Sequence, residues 1–338
     1  MIRRLTSFRP QPATWLALSW LALLVGVALL VPWLPLPYAP ATPDLQHIAT
    51  PPDWTSASPA HYLGTDSLGR DVLAGLLAGA QRLVLLTLPA VALATLVGAL
   101  TGAAAGFWGN RQLRLPMATA GWALAAAWWA LSLPSKAVLW LLVCASLLLT
   151  LLAWRTARRG ASYRRRYTFA LPLDSLVLGA TTLLGSVPRL ILLVALAAGP
   201  PPTSVQFIGL LALLAWPEAA RLVRGRMLWV RVQPFIEAAR ASGLPMGRIW
   251  WHHALPHACR PLLAFAPLSL AGLMGLESSL AFLGIGQGPD VVSWGSQLAT
   301  LRHDSTAWWV AVFPGLGLLF TLLALQKTAA FARKNTDK

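Results

Sequence analysis

Long apolar runs alternate with short polar segments along the whole chain. Eight runs approach or reach the roughly 17–25 apolar residues that a helix needs to cross a bilayer. They lie at residues 15–31, 84–107, 117–133, 137–154, 173–198, 206–223, 262–283 and 308–325. A strand exposed to lipid would leave backbone N–H and C=O groups unpaired, so these runs predict helices. The pattern therefore predicts an all-α polytopic membrane protein with about eight spans.

The polar segments differ in charge, and this difference predicts how the chain is oriented. With the N-terminus in the cytoplasm, the inner segments hold 21 of the 27 Lys and Arg residues, and the outer segments hold four. Cytoplasmic loops carry an excess of basic residues, so both termini are expected in the cytoplasm. Of the 338 residues, 57% are hydrophobic and 11% are charged, which excludes a soluble domain. The net charge of +16 is therefore explained mostly by the excess of basic residues in the cytoplasmic segments, and no nucleic acid partner is expected.

One polar stretch between two apolar runs carries the main candidate for binding another protein. Residues 237–242 are good helix formers and predict a short helix. Gly243 predicts its end in a left-handed conformation, and Pro245 prevents the helix from continuing. Small side chains at its centre would let another protein's backbone come close. The residues expected to face water or a partner are Glu237, Ala238, Ala239 and Arg240.

A second polar stretch, residues 64–72, precedes the second apolar run. Thr65, Asp66 or Ser67 could cap a helix start by accepting a backbone N–H. Asp66 and Arg70 are four residues apart, so they would share one face of that helix. The stretch therefore predicts a capped helix at the extracytoplasmic surface of the membrane.

Both stretches resemble motifs of one family. The sequence Glu-Ala-Ala, three residues, Gly243, and then His253 and Leu255-Pro256 is similar to the EAA loop of bacterial ABC importer permeases. Residues 63–72 resemble the LGTD-x-LGRDV signature of the peptide/nickel class of these permeases. The matching signature positions are Gly64, Thr65, Asp66, Gly69, Arg70 and Asp71. The chain departs from the family at His257, where an asparagine usually follows Leu-Pro.

The resemblance implies the architecture of a type I ABC importer transmembrane domain. Six core helices are expected, and two extra apolar runs at 111–167 form an inserted transmembrane hairpin with a basic cytoplasmic loop. The expected divisions are an N-terminal span and external loop at 1–63, a permease core at 64–110 and 168–330, the insertion at 111–167, and a cytoplasmic tail at 331–338.

The resemblance also implies partners and a place in the cell. The chain would lie in the bacterial inner membrane as a multi-pass subunit beside a homologous second permease. Two cytoplasmic ATP-binding subunits and an extracytoplasmic solute-binding protein would complete the importer. Residues 237–243, with His253 and Pro256, would couple the spans to the ATPase. The chain has no phosphate-binding loop, so ATP and Mg²⁺ are expected on the partner ATPase and no cofactor is expected here. The substrate would be a peptide, nickel or another small solute.

Charged residues inside apolar runs are costly and are functional candidates. Arg189 lies in the run 173–198, and Glu277 lies in the run 262–283. Glu218 and Arg221 lie toward the inner end of the run between them. We favour the translocation path for Arg189, because a guanidinium group suits the carboxylate of a peptide. For Glu277, a place on the path and a structural ion pair are equally open.

Two other classes of function were weighed against the permease. His252, His253 and His257 could hold a metal in an intramembrane enzyme with Glu277, since His253 and His257 share one helical face. No third ligand is evident among the nearby residues, and His253 already fills a motif position, so no metal site is expected. A stand-alone channel or secondary transporter would often show inverted repeats, and none is evident in the sequence. The permease is therefore the favoured prediction, and the chain is not expected to be an enzyme.

Overall fold

The computed structural model describes residues 12–54, 61–110, 114–116, 168–197, 202–285, 288 and 291–336. Twelve α-helices account for most of these described residues. They are α1 Pro12–Leu30, α2 Val72–Arg82, α3 Leu88–Trp108, α4 Leu173–Ser186, α5 Arg189–Ala197, α6 Ser204–Val230, α7 Pro234–Ala241, α8 Met246–Arg248, α9 Leu255–Cys259, α10 Leu262–Phe282, α11 Trp294–Thr300 and α12 Trp308–Thr336. The predicted all-α class is confirmed, with two three-residue strands, β1 Arg114–Pro116 and β2 Thr168–Ala170, as the addition.

Short segments of tighter or wider helix join several of these elements. A 3₁₀ turn at Val31–Trp33 follows α1. A π-helical segment at Leu83–Thr87 joins α2 to α3, so that Val72–Trp108 forms one long helical stretch. A second π-helical segment at Ile249–Ala254 joins α8 to α9. The π-helical segments are of a kind that is rare in proteins and often lies at functional sites.

Five helical stretches of the described chain are long and apolar enough to cross a membrane. They are Pro12–Trp33, Val72–Trp108, Ser204–Val230, Leu262–Phe282 and Trp308–Asn335. Each corresponds to one of the predicted apolar runs. The second stretch begins at Val72 rather than at residue 84, so Arg82 lies within a helix. The predicted runs 117–133 and 137–154 lie outside the described residues.

The predicted single span at 173–198 is two helices. Helix α4 ends at Ser186 and α5 begins at Arg189, with Val187 and Pro188 between them. Proline lacks a backbone N–H, its ring clashes with the preceding turn, and it disfavours helical geometry in the residue before it. Pro188 thus explains why one apolar run gives two helices.

The chain divides into two compact units, one formed by the residues up to Ala103 and from Ala180 onward. In this unit the long helices approach each other through small residues. A Cβ atom added to Gly98 would lie 2.5 Å from the Ala219 Cβ, and one added to Gly102 would lie 2.2 Å from the Ala220 carbonyl oxygen. Such close approach of backbones is the usual means of helix association in lipid, and Gly98 and Gly102 have the GxxxG spacing.

The second unit is Ala104–Gly179. Its described part contains the antiparallel pair β1 and β2, in which Leu115 lies opposite Phe169. Close to this pair, the Asn110 side-chain amide donates to Ser175 Oγ and its oxygen accepts from the Ser175 backbone N–H, both at 2.9 Å. The two strands bring residues 116 and 168 together, so they close the base of the predicted insertion at 111–167.

Candidate functional site

Helix α7 carries the predicted docking residues and is attached to the protein by one side. Pro234 occupies its first turn, where its missing N–H has no intrahelical acceptor to lose. The Ile236 side chain is 0% exposed and anchors the helix. Glu237, Ala238 and Arg240 are exposed, and Ala239 is half-buried. The predicted helix is confirmed, and it begins at Pro234 rather than at Glu237.

A Schellman motif ends this helix. The Gly243 N–H donates to the Arg240 carbonyl oxygen at 3.0 Å, and the Leu244 N–H donates to the Ala239 carbonyl oxygen at 3.4 Å. Gly243 has φ +74°, as the sequence predicted. A Cβ atom at Gly243 would meet nothing within 4 Å. The requirement for glycine is therefore one of backbone conformation and not of space.

The segment after the helix supplies the surface on which it rests. Ile249, Ala254 and Ala258 are fully buried along the π-helical segment and α9. His257 Nδ1 donates to the His253 carbonyl oxygen at 2.8 Å, and the His257 ring lies 5.0 Å from the Phe235 ring, centroid to centroid. The residue that departs from the family motif thus packs against the first turn of α7. Pro256 lies in the first turn of α9, directly after the π-helical segment.

The two predicted charged positions within the spans both lie in ion pairs. Arg189 Nη2, at the start of α5, pairs with Glu218 Oε1 on α6. Arg82 Nε, at the end of α2, lies 3.6 Å from Glu277 Oε1 on α10, and the Glu277 side chain is 5% exposed. Arg221 Nη1 donates to the Thr181 carbonyl oxygen at 3.4 Å. The structure therefore contains an ion pair for Glu277, for which pairing and a place on the path were equally open, and also for Arg189, for which the path was favoured.

The external signature is a tight loop and not the start of a helix. Asp71, and not Thr65, Asp66 or Ser67, caps α2, because its Oδ2 accepts from the Ala74 N–H at 2.7 Å. Asp66 Oδ1 instead accepts from the backbone N–H groups of Leu68 and Arg70, at 2.9 and 2.8 Å. This local bonding competes with helix formation, so the prediction that Asp66 and Arg70 share a helical face was wrong. Burial raises the pKa of the Asp66 carboxyl, although these two donors lower it.

The signature loop encloses a second external segment, residues 44–50. Gly64 and Gly69 have φ values of +77° and +76°. A Cβ atom at Gly64 would lie 2.4 Å from the Thr50 carbonyl oxygen, and one at Gly69 would lie 2.4 Å from the Asp44 carbonyl oxygen. Thr65 Oγ1 donates to the His47 carbonyl oxygen at 2.5 Å and accepts from the Thr50 N–H at 3.0 Å. We call residues 44–50 together with 61–71 the external clamp, because the sequence predicts that they lie outside the cytoplasm.

Helices far away in sequence hold this clamp in place. The Trp309 indole N–H donates to the Thr65 carbonyl oxygen at 2.9 Å, and Ser67 Oγ donates to the Thr300 carbonyl oxygen at 3.3 Å. A hydrogen bond from His47, together with the backbone N–H of Gln46, lowers the pKa of Asp44 to about 2. The clamp is thus bonded to distant helices at one end of the helical unit.

Three elements of the site were not found by the sequence analysis. Gly98 and Gly102 form the close contact between α3 and α6, and their GxxxG spacing was the signal that could have identified it. The second half of the external clamp lies in a proline-rich loop with no recognisable motif. Among the described residues, the side chains of His252, His253 and His257 do not come together as a possible metal site. The possible ligand atoms of Asp44, His47 and His61 lie within 4.8 Å of one another.

Comparison with known proteins agrees with the resemblance of the motifs. Residues 169–333 match the family described as binding-protein-dependent transport system inner membrane component. The chain is 27% identical to a di/tripeptide transport system permease protein of Pseudomonas aeruginosa, over 91% of this chain and 82% of the relative. It is 28% identical to a putative peptide permease protein of Brucella suis, over 86% and 76%. A probable D,D-dipeptide transport system permease protein of Escherichia coli is 25% identical over 94% and 84%.

These relatives are transport permeases and not enzymes, and the matched residues contain the helix α7, its glycine stop and the segment that supports it. The apolar helices agree with a multi-pass protein of the inner membrane. Residues 169–333 are thus similar to the inner membrane components of binding-protein-dependent transport systems, and most of the chain is similar to peptide transport permeases.

Proposed function

We propose that this chain forms half of the translocation path of an importer for short peptides and is driven by a partner ATPase through α7. The observation that carries the proposal is the geometry of α7. Its exposed face holds Glu237, Ala238 and Arg240, while Ile236 fixes its other side to the protein. Relatives over nearly the full chain are described as di/tripeptide and D,D-dipeptide permeases, which supports a peptide substrate.

The proposed complex contains a second homologous permease, two cytoplasmic ATP-binding subunits and an extracytoplasmic binding protein. ATP and Mg²⁺ belong to the ATP-binding subunits, and this chain binds no cofactor for that chemistry. Both termini and α7 lie in the cytoplasm, and the external clamp faces the binding protein. The 21-to-four division of basic residues supports this orientation.

Movement of the ATPases reaches the spans through packed side chains. Helix α7 packs on the π-helical segment Ile249–Ala254, and α9 packs on the long helix α6. Ile236, Ile249 and Ala258 along this route are fully buried. A displacement of α7 when the ATPase dimer closes is therefore passed on to α6, whose residue Glu218 pairs with Arg189 of α5.

Substitution of the glycine stop tests the proposal. A residue with Cβ costs about 1–2 kcal/mol in the left-handed conformation, and a β-branched residue costs more. Gly243→Val should therefore misplace α7, and Glu237→Lys should reverse a charge at the helix start, where the helix dipole favours an anion. Transport and substrate-stimulated ATP hydrolysis by the reconstituted complex should fall together.

Gly247→Val is the matched control, because Gly247 also has open space around it but lacks a positive φ. It should insert, assemble and transport at close to the wild-type rate. If Gly243→Val and Glu237→Lys insert normally and keep full stimulated hydrolysis and transport, α7 is not the coupling element.

Reporter fusions test the proposed orientation. A fusion after Gly243 should report the cytoplasm, and a fusion after Ala57 should report the outside. A cytoplasmic signal at Ala57 would reverse the assignment of the external clamp.

A further inference from the structure

The external clamp contains a group of side chains that the importer mechanism does not use. Asp44 Oδ2 lies 2.9 Å from His47 Nδ1 and 3.4 Å from His61 Nε2. The three ligand atoms all lie within 4.8 Å of one another. The His61 side chain is 3% exposed, and the His47 side chain is 43% exposed. One end of the group is therefore enclosed by protein, and the other end is open to solvent.

A fourth residue fixes the orientation of the buried imidazole. His61 Nδ1 lies 2.9 Å from Asp71 Oδ1, and Asp71 is itself held because its Oδ2 caps α2. When Nδ1 carries the proton and donates it to Asp71, Nε2 presents a lone pair toward Asp44 and His47. A carboxylate that accepts from the second nitrogen of a histidine is the usual outer partner of a metal-binding imidazole.

Asp44 is oriented by the backbone in the same way. Its Oδ1 accepts from the Gln46 N–H at 2.9 Å, which leaves Oδ2 directed at the two imidazoles. Gly69 leaves room for the Asp44 backbone, since a Cβ there would lie 2.4 Å from the Asp44 carbonyl oxygen. Asp44 and Asp71 are thus each held in place by a backbone N–H group that does not belong to a histidine.

We propose that Asp44 Oδ2, His47 Nδ1 and His61 Nε2 bind a divalent transition metal of the zinc type on the extracytoplasmic face. With metal–ligand bonds of about 2.0–2.1 Å and tetrahedral angles, neighbouring ligand atoms lie about 3.3 Å apart. The observed separations of 2.9 and 3.4 Å bracket this value. Two imidazoles and one carboxylate suit Zn²⁺ better than Mg²⁺ or Ca²⁺, which prefer oxygen ligands. A water molecule from the exposed side completes the fourth position.

The metal would join two parts of the chain that are not adjacent in sequence. Asp44 and His47 belong to the segment 44–50, while His61 lies three residues before Gly64. A metal held by both fastens the external clamp at its open end. This inference goes beyond the proposed transport function and does not depend on the identity of the substrate.

The competing explanation is a network of hydrogen bonds among these side chains that binds no metal. In that case His61 would carry protons on both ring nitrogens and donate to Asp44 and Asp71 at once. This arrangement predicts no affinity for metal, and it predicts that the exposed His47 matters little. The two explanations therefore differ in a measurable property.

Zinc titration of the purified full-length chain tests the proposal. The chain carries an affinity tag without histidine, is treated with a chelator, and is titrated with Zn²⁺ in competition with a chromophoric chelator. We expect one tight equivalent, and we expect added Zn²⁺ to raise the unfolding temperature. His47→Ala should abolish both effects, and the chain should still fold because the His47 side chain is exposed. Asp71→Asn should weaken binding about 10–100-fold, because it removes only the outer partner of His61.

His303→Ala is the matched control, since His303 is an exposed histidine in another turn. It should bind Zn²⁺ as the wild-type chain does. Absence of a tight equivalent in the wild-type chain would overturn the proposal. Equal Zn²⁺ binding by wild type and His47→Ala, or an unfolding temperature that Zn²⁺ raises equally in both, would overturn it as well.

Discussion

The external clamp and the helix α7 both depend on glycines with positive φ, but for different reasons. At Gly69 a Cβ atom would lie 2.4 Å from the Asp44 carbonyl oxygen, whereas at Gly243 it would meet nothing within 4 Å. The external glycine is required by the backbone that it touches as well as by its conformation. The glycine beside α7 is required only by the turn that it makes. One region is therefore closed by its neighbours, and the other leaves its surface free for a partner.

Hydrogen bonding divides the two regions in the same way. The clamp is bonded to distant parts of the chain, for example through the Trp309 indole and the Thr300 carbonyl oxygen. The bonds at the end of α7 are local, from Gly243 and Leu244 back to the preceding turn. A region of the first kind holds its shape as part of the fold, while one of the second kind can be displaced without breaking hydrogen bonds to distant parts of the chain, as the proposed coupling to an ATPase requires.

The largest expected effect comes from placing a methyl group at Gly69. Gly69→Ala combines conformational strain of about 1–2 kcal/mol with a clash against the Asp44 carbonyl oxygen. The clamp should open, and the purified chain should unfold at a lower temperature. Gly243→Ala carries only the conformational strain, so its unfolding temperature should stay close to that of the wild type. Equal loss of stability in the two variants would remove the distinction between the regions.

The next effect comes from loosening the anchor of α7. Removing a buried isoleucine side chain down to alanine costs about 2–5 kcal/mol in a protein core. Because Ile236 is fully buried beneath a short helix, Ile236→Ala should release α7 without opening the external clamp. Substrate-stimulated ATP hydrolysis should fall, while the unfolding temperature changes little.

Val232→Ala is the control for this variant, since Val232 is 61% exposed and lies just before the helix. Its coupled hydrolysis should match that of the wild type. A fall in unfolding temperature for Ile236→Ala as large as that for Gly69→Ala would mean that α7 is part of the folded core and not a movable element.

The contrast between the regions also explains what could be predicted from sequence. Helix α7 and its stop at Gly243 were predictable, because their bonds join residues within a few positions of one another. The helix predicted at Thr65 or Asp66 was wrong, because Asp66 bonds to Leu68 and Arg70 in a loop that wraps around residues 44–50. That partner segment has no periodicity, so no local pattern could place it.

Within the spans too, some features depend on residues close together in sequence and others on residues far apart. The division of the run 173–198 follows from Pro188 and could have been predicted from the proline alone. The pairs Arg82–Glu277 and Arg189–Glu218 join residues far apart in sequence. The expense of a charge in lipid indicated that partners must exist, but it could not identify them.

The smallest expected effect concerns Arg189, whose ion pair with Glu218 connects α5 with α6, the helix to which α7 is proposed to be coupled. Glu218 already neutralises Arg189, and both side chains are partly exposed. Exposed ion pairs contribute about 0–1 kcal/mol, so Arg189→Ala should lower uptake only a few-fold and leave assembly intact. Arg189→Lys should rescue uptake in part, because it keeps the charge but loses the planar fork of the guanidinium group.

The exchanged variant Arg189→Glu with Glu218→Arg separates two roles of Arg189. If Arg189 acts by pairing, the exchange should restore uptake above that of Arg189→Ala, because the ion pair forms again with the two charges on opposite helices from before. If the exchanged variant transports no better than Arg189→Ala, a guanidinium is needed at this position itself, and the favoured explanation becomes contact with the carboxylate of the substrate on the translocation path.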